Sequence, residues 1–194
     1  MTSNTVTRLS AGSVAGVASI EGTDPTMFFP ASSGYTSASL TIGDTAYVYG
    51  ECQLACHLAR VPLASIADRT AWRFFAGRDG AGVDQWSTDP ARAVGTIAPG
   101  AAGETVLWSP ALHGFLNLFM PYGSSTLRFQ IGGSPFGPWS TAHDVLATAT
   151  GGSGTNYAAY GHTEFAEGDG LVQYVSYFQP SSGAQRLVKV SFSG

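Results

Sequence analysis

Between Gly103 and Ser140 the chain alternates short runs of strand-forming residues with clusters that favour turns. The runs are Glu104–Trp108, Phe115–Met120 and Thr126–Ile131. The first two are separated by Pro110-Ala-Leu-His-Gly114, and the second and third by Pro121-Tyr-Gly-Ser-Ser125. Glycine and proline supply the turn geometry there, and proline cannot donate to a central strand ladder. The cluster Gly132–Trp139 then forces the chain round, and Ala142–Ala147 can add a fourth strand. Phe115-Leu-Asn-Leu-Phe-Met120 is apolar except for its asparagine, as expected of a strand covered on both faces of its sheet. A four-stranded antiparallel meander buried on both sides is the repeating blade of a β-propeller, so the pattern should recur.

It does recur. Upstream, Tyr35–Ile42, Ala46–Gly50, His57–Val61 and Ala71–Phe75 follow the same order; downstream, Tyr160–Phe165, Leu171–Phe178 and Arg186–Phe192 repeat its first three members. Each third strand carries one cation in an apolar run: Arg60, Arg128 and Lys189, 68 and 61 residues apart. These intervals exceed the roughly 40–50 residues of common propeller repeats, so the connecting loops must be extended. The expected fold is therefore all-β and propeller-like: a single, partial propeller domain over residues 1–194, with about three four-stranded blades near 35–76, 103–147 and 157–192. A meandering β-sandwich is the alternative, since it uses similar strands and turns. Pro62–Asp68 is read as one helical turn, and the Gly-, Ala-, Asp- and Pro-rich stretch between Phe75 and Gly103 as irregular. The last blade has three strands, so its outer edge needs a cover; Thr5–Leu9 is expected to pair beside Leu187–Phe192.

Composition narrows the function classes. Charged residues are 11% and aromatics 12%, too apolar and aromatic for disorder, and no apolar run reaches the length of a membrane span. Eight arginines, one lysine and a net charge of −4 leave no basic stripe for nucleic acid. A mildly acidic surface rich in Ser, Thr, Gly, Tyr and Trp suits neutral polar ligands, with a polysaccharide or oligosaccharide as the expected partner. Ala11–Ile20 lacks the basic start and leucine-rich centre of an export signal, so no clear signal peptide is read. Cys52 and Cys56 flank a hairpin tip. Two thiols are too few for a structural zinc, and the pair is either a short disulfide or two free thiols.

Neither a G-x-S-x-G elbow nor an H-E-x-x-H pair occurs, and His143-Asp144, adjacent on a strand, face opposite ways. No metal and no cofactor are expected. Lining up the first strands brings Thr36 and Ser37, Glu104, and His162 with Glu164 towards one mouth of a central channel. Glycoside hydrolysis needs two carboxyl groups flanking the sugar bond, and Glu104 and Glu164 are the candidate catalytic pair. His162, Tyr160, Trp108 and Trp86 are candidate substrate-binding residues, the aromatic rings as stacking surfaces.

Three phrases carry a resemblance: Ala59-Arg-Val-Pro-Leu-Ala-Ser-Ile66, Ser134-Pro-Phe-Gly-Pro-Trp-Ser140, and Tyr157-Ala-Ala-Tyr-Gly-His-Thr-Glu-Phe165 followed by Val172–Tyr177. Together they resemble domain-of-unknown-function family 4185, whose characterised members are similar to endo-D-arabinanases on a five-bladed propeller. The likeness runs from about Val14 to Phe192 and corresponds to the C-terminal part of the family domain. Thr163 stands where the family usually has proline. The resemblance implies a carbohydrate-active, glycoside hydrolase-like domain for arabinan-type or related polysaccharides, secreted or held in the cell envelope. It also implies Glu104, His162 and Glu164 as cleft residues. As the family's front blades are not matched, the chain is expected to be incomplete, with weak or absent glycosidase activity. The alternative is a non-catalytic carbohydrate-binding or structural propeller domain.

Overall fold

The computed structural model of the chain describes residues 34–192, apart from Thr36, Glu51 and Ala102, and only backbone strands before residue 34. Those early strands are β1 (Ser3–Asn4), β2 (Thr7–Ala11), β3 (Ala18–Thr23) and β4 (Phe29–Pro30). They pair as β1 with β4 and β2 with β3. Three antiparallel sheets follow in chain order, and the fold is all-β, the helices among the described residues being single 3-10 turns. No helix among the described residues is long and apolar enough to cross a membrane.

The first sheet contains β5 (Ala38–Ile42), β6 (Thr45–Gly50), β7 (Cys56–Pro62), β8 (Arg73–Arg78) and β9 (Asp84–Ser87) in that order, with β10 (Gly95–Ile97) paired to β7. The second is the meander β11 (Glu104–Ser109), β12 (Gly114–Phe119), β13 (Thr126–Gly132) and β14 (His143–Ala147). The third holds β15 (Tyr157–Gly161), β16 (Val172–Gln179) and β17 (Ala184–Ser191). The helical turn expected after Pro62 is a 3-10 turn over Leu63–Ser65. The stretch between Phe75 and Gly103, expected to be irregular, instead carries β9 and β10. Asp79 explains the first: its Oδ1 accepts from the backbone N–H groups of Ala81 and Val83, and Arg78 pairs with Asp84 at 2.8 Å across the hairpin.

Strand alternation decides how the sheets stack. On the second sheet Leu107, Leu116, Leu118 and Leu127 face one way and meet Ala159, Val175, Tyr177 and Val190 of the third. Val106 points the other way, into a cluster with Tyr49, Leu58, Phe75 and Ile97 of the first-sheet region. All six residues of β12 are consequently buried. The first strands lie nearest one another, β11 packing against both β5 and β15. Gly161 approaches β11 closely: its N–H donates to Thr105 Oγ1 at 2.7 Å, and a Cβ there would meet the Thr105 side chain at 3.2 Å.

The block Ser134–Ser140 clamps the first two sheets together. Tyr49 donates its hydroxyl to the Pro135 carbonyl at 2.6 Å, Arg78 Nη2 donates to the Gly137 carbonyl, and Phe136 stacks on Phe75. Trp139 lies over Gly132, where a Cβ would be 2.9 Å from the indole. The pairing expected between Thr5–Leu9 and the last strand is not found. Thr7–Ala11 pairs with Ala18–Thr23, the described neighbour of β17 is β16, and Thr5 and Val6 lie outside the described residues.

Candidate functional site

Glu104 opens β11 opposite Phe119 and has no exposed surface. The hairpin tip between β6 and β7 folds over it: Cys52 and Cys56 form a disulfide with Cα atoms 3.9 Å apart, and Cys52 Sγ lies 3.5 Å from Glu104 Oε1. Of the two cysteine states the sequence left open, the structure therefore has the disulfide. Gly100 is required beneath this tip, because a Cβ would sit 2.4 Å from the Cys52 carbonyl oxygen. Burial pushes the Glu104 carboxyl up to about 8, weakly opposed by the neighbouring Asn117 amide. Its Oε2 has no hydrogen-bond partner among the described residues, so a proton there replaces the charge that burial disfavours. Asn117 donates to Gln130, which in turn donates to the carbonyls of Ala98 and Ser140. Tyr49 is pushed well above its ordinary range, first by burial and then by Glu104. A protonated carboxyl is the state a general acid needs, but this one is enclosed between the first and second sheets.

His162 and Glu164 sit elsewhere, at the end of β15. The His162 N–H donates to the Tyr174 carbonyl at 2.8 Å, after which a single 3-10 turn, Thr163–Phe165, brings Glu164 back to the ring. His162 Nδ1 is 3.3 Å from Glu164 Oε1, and His162 Nε2 is 2.9 Å from Ser176 Oγ on β16. Glu164 is exposed, and its carboxyl is held below its ordinary value by its own backbone N–H and by His162. The structure joins His162 to Glu164, whereas the neighbours of Glu104 are Cys52, Asn117 and Tyr49. Thr36, aligned with the same mouth by sequence, lies outside the described residues.

Sequence reasoning did not select Ser176. Its partner His162 lies 14 residues away on the neighbouring strand, a distance at which no linear motif exists.

The face of the third sheet turned away from the core is open and aromatic. Tyr157 pairs with Phe178 and Tyr160 with Ser176, with a bulge between them. Ala158, at a φ of 55°, is the bulged residue, and it lets both tyrosines reach the same side. Tyr157, Tyr160 and Phe165 are half exposed or more. Tyr157 also lines a cleft of about 270 Å³ with Tyr122, Asn156 and Pro121, between the second and third sheets. Of the other aromatic candidates, Trp108 is half exposed and edge-on to Phe115. Trp86 is packed into the scaffold, with the Arg60 guanidinium 3.9 Å above its ring and Phe75 and Phe136 at its edges.

Comparison with known proteins adds a likeness at the level of the fold. No protein-family model matches the chain, and no curated protein does. A crystal structure from Bacteroides ovatus, described as that of a "putative hydrolase", superposes with a TM-score of 0.60 over 78% of this chain, at 14% identity. The match covers 39% of that protein, so the chain spans well under half the length of its structural neighbour. What the two share is the fold.

Proposed function

We propose that this domain is a carbohydrate-active, hydrolase-like module of propeller type, working outside the cytoplasm on arabinan-type or related polysaccharides. The observation that carries the reading is the exposed rings Tyr160 and Phe165 against His162 of the His162–Glu164 pair, with Tyr157 on the same face and Tyr122 across the cleft that Tyr157 lines. Tyrosine faces stack on the apolar faces of sugar rings at little conformational cost, while an imidazole and a carboxylate bind hydroxyl groups. The family resemblance, the hydrolase description of the structural neighbour and a disulfide suited to an oxidising compartment all support it. Glu104, enclosed as it is, keeps the protonated form of a catalytic acid but lacks a path to substrate in this chain. Binding without glycosidic cleavage is therefore the expected behaviour.

Affinity electrophoresis through gels containing arabinan, arabinogalactan, xylan or glucan tests the reading. Retardation by an arabinose-containing polymer is expected, with Tyr160→Ala weakening the affinity by about tenfold, the loss of one stacked ring. Unretarded migration through every polymer would overturn the saccharide reading. Robust release of sugar by this chain, abolished by Glu104→Gln, would overturn the non-cleaving part.

A further inference from the structure

We propose that Ser176, His162 and Glu164 form a nucleophile relay that hydrolyses acyl esters on the open face of the third sheet. The three side chains stand in the order such a relay requires. Ser176 Oγ is 2.9 Å from His162 Nε2, and the opposite ring nitrogen, Nδ1, is 3.3 Å from Glu164 Oε1. A hydroxyl, a base within hydrogen-bond reach of it, and an acid orienting that base define nucleophilic catalysis by geometry, whatever the fold or chain order.

Each contact has a structural cause. Ser176 occupies the centre of β16, between Tyr160 on one side and Leu187 on the other, so register fixes its side chain on the face away from the core. The His162 backbone is tied to the Tyr174 carbonyl on the same strand, and its ring is edge-on to Tyr160. Glu164, two residues on, is turned back by the 3-10 turn. With the carboxylate accepting from Nδ1–H, the Nε2 lone pair is left to accept from the serine hydroxyl. Tyr160 and Leu187, 54% and 62% exposed, form an apolar border on both sides of Ser176 for an acyl group to rest on.

The chemistry balances with water alone. Ser176 Oγ bonds to the ester carbonyl carbon while its proton passes to His162 Nε2; the carbon–alkoxy bond breaks and the alcohol leaves with that proton. Water then attacks the acyl-serine, giving a proton to His162. The Oγ–acyl bond breaks, the acid departs and the proton returns to Oγ. Ser176 and His162 are the catalytic residues and Glu164 is a positioning residue. Ser176 lies in a central strand whose backbone belongs to the ladder, not at a strand-to-helix turn with free N–H groups. Oxyanion stabilisation is correspondingly modest, which selects esters over amides. Together with the saccharide reading, on which this last step rests, the substrate class is an O-acylated sugar chain.

The relay itself is tested without a sugar. The whole chain is incubated with a fluorophosphonate probe and mapped by peptide mass spectrometry, and hydrolysis of p-nitrophenyl acetate is followed in parallel. An adduct on Ser176 is expected, and Ser176→Ala and His162→Gln should each lower turnover by roughly 100-fold. Glu164→Gln should lower kcat by about tenfold with KM unchanged, a split that a merely structural role would not produce. Absence of an adduct on Ser176 in the wild-type protein, or labelling that persists undiminished in His162→Gln, would overturn the relay. Ester hydrolysis by a protein unretarded on every polysaccharide gel would keep the relay and discard the sugar.

Discussion

Glu104 holds a proton that solvent would remove. In the unfolded chain its carboxyl titrates near its ordinary value of 4.5, whereas the folded protein keeps the proton to about 8. Between those values the folded state binds the extra proton, so stability from this group is complete below the lower value. It falls as pH rises and levels off above the upper one. The loss across the window is on the order of 5 kcal/mol. Urea denaturation at pH 5, 6.5 and 8 should show the midpoint dropping with pH, and Glu104→Gln should flatten that slope. A wild-type midpoint that rises over this range would contradict the assignment. In the sequence, Glu104 is a lone acid before an apolar run, and nothing local marks it as buried. The available clue is cross-strand: Asn117, the one polar residue of an otherwise apolar stretch, sits opposite Gln130 on the face shared with Glu104.

Strands were legible where they alternate and end in turn residues. The three meander strands from Glu104 onward, and the downstream runs containing Val175 and Val188, were readable because Gly and Pro punctuate them. By contrast, β9 is Asp-Gln-Trp-Ser and β10 only Gly-Thr-Ile, too polar or too short to show a period. Sheet assembly then decided what local pattern could not. The Ser134–Ser140 block, which carries part of the family resemblance, is a clamp between sheets, and the Ser176–His162 contact exists only once β15 lies beside β16. The bulge on β15 belongs to this scale as well. Ala158 sits in the left-handed region, which costs an L-residue roughly 1–2 kcal/mol and glycine almost nothing. Ala158→Gly is therefore expected to raise stability by about 0.5–1 kcal/mol, measured as a higher urea midpoint. A drop of that size would show that the positive φ is not maintained in solution.

At the scale of the molecule, the second sheet contributes to two of the three apolar clusters among the described residues, Val106 to one and Leu116 and Leu118 to another. A sheet that shares its two faces couples its neighbours, so unfolding is expected to be one transition. Val106→Ala and Val175→Ala, at opposite interfaces, should each lower that same transition by roughly 1–3 kcal/mol. Two resolved steps in the far-ultraviolet circular dichroism melt would show that the sheets unfold separately.

The four tryptophans, at positions 72, 86, 108 and 139, all belong to the first two sheets and their loops, whereas the third sheet carries Tyr157, Tyr160, Tyr174 and Tyr177. Indole emission thus reports on the first two sheets alone, whereas the eight tyrosines are divided between those sheets and the third. A ligand seated on the third sheet should perturb tyrosine absorbance while leaving indole emission almost unmoved, so silence of the tryptophans marks a ligand that has landed away from the first two sheets.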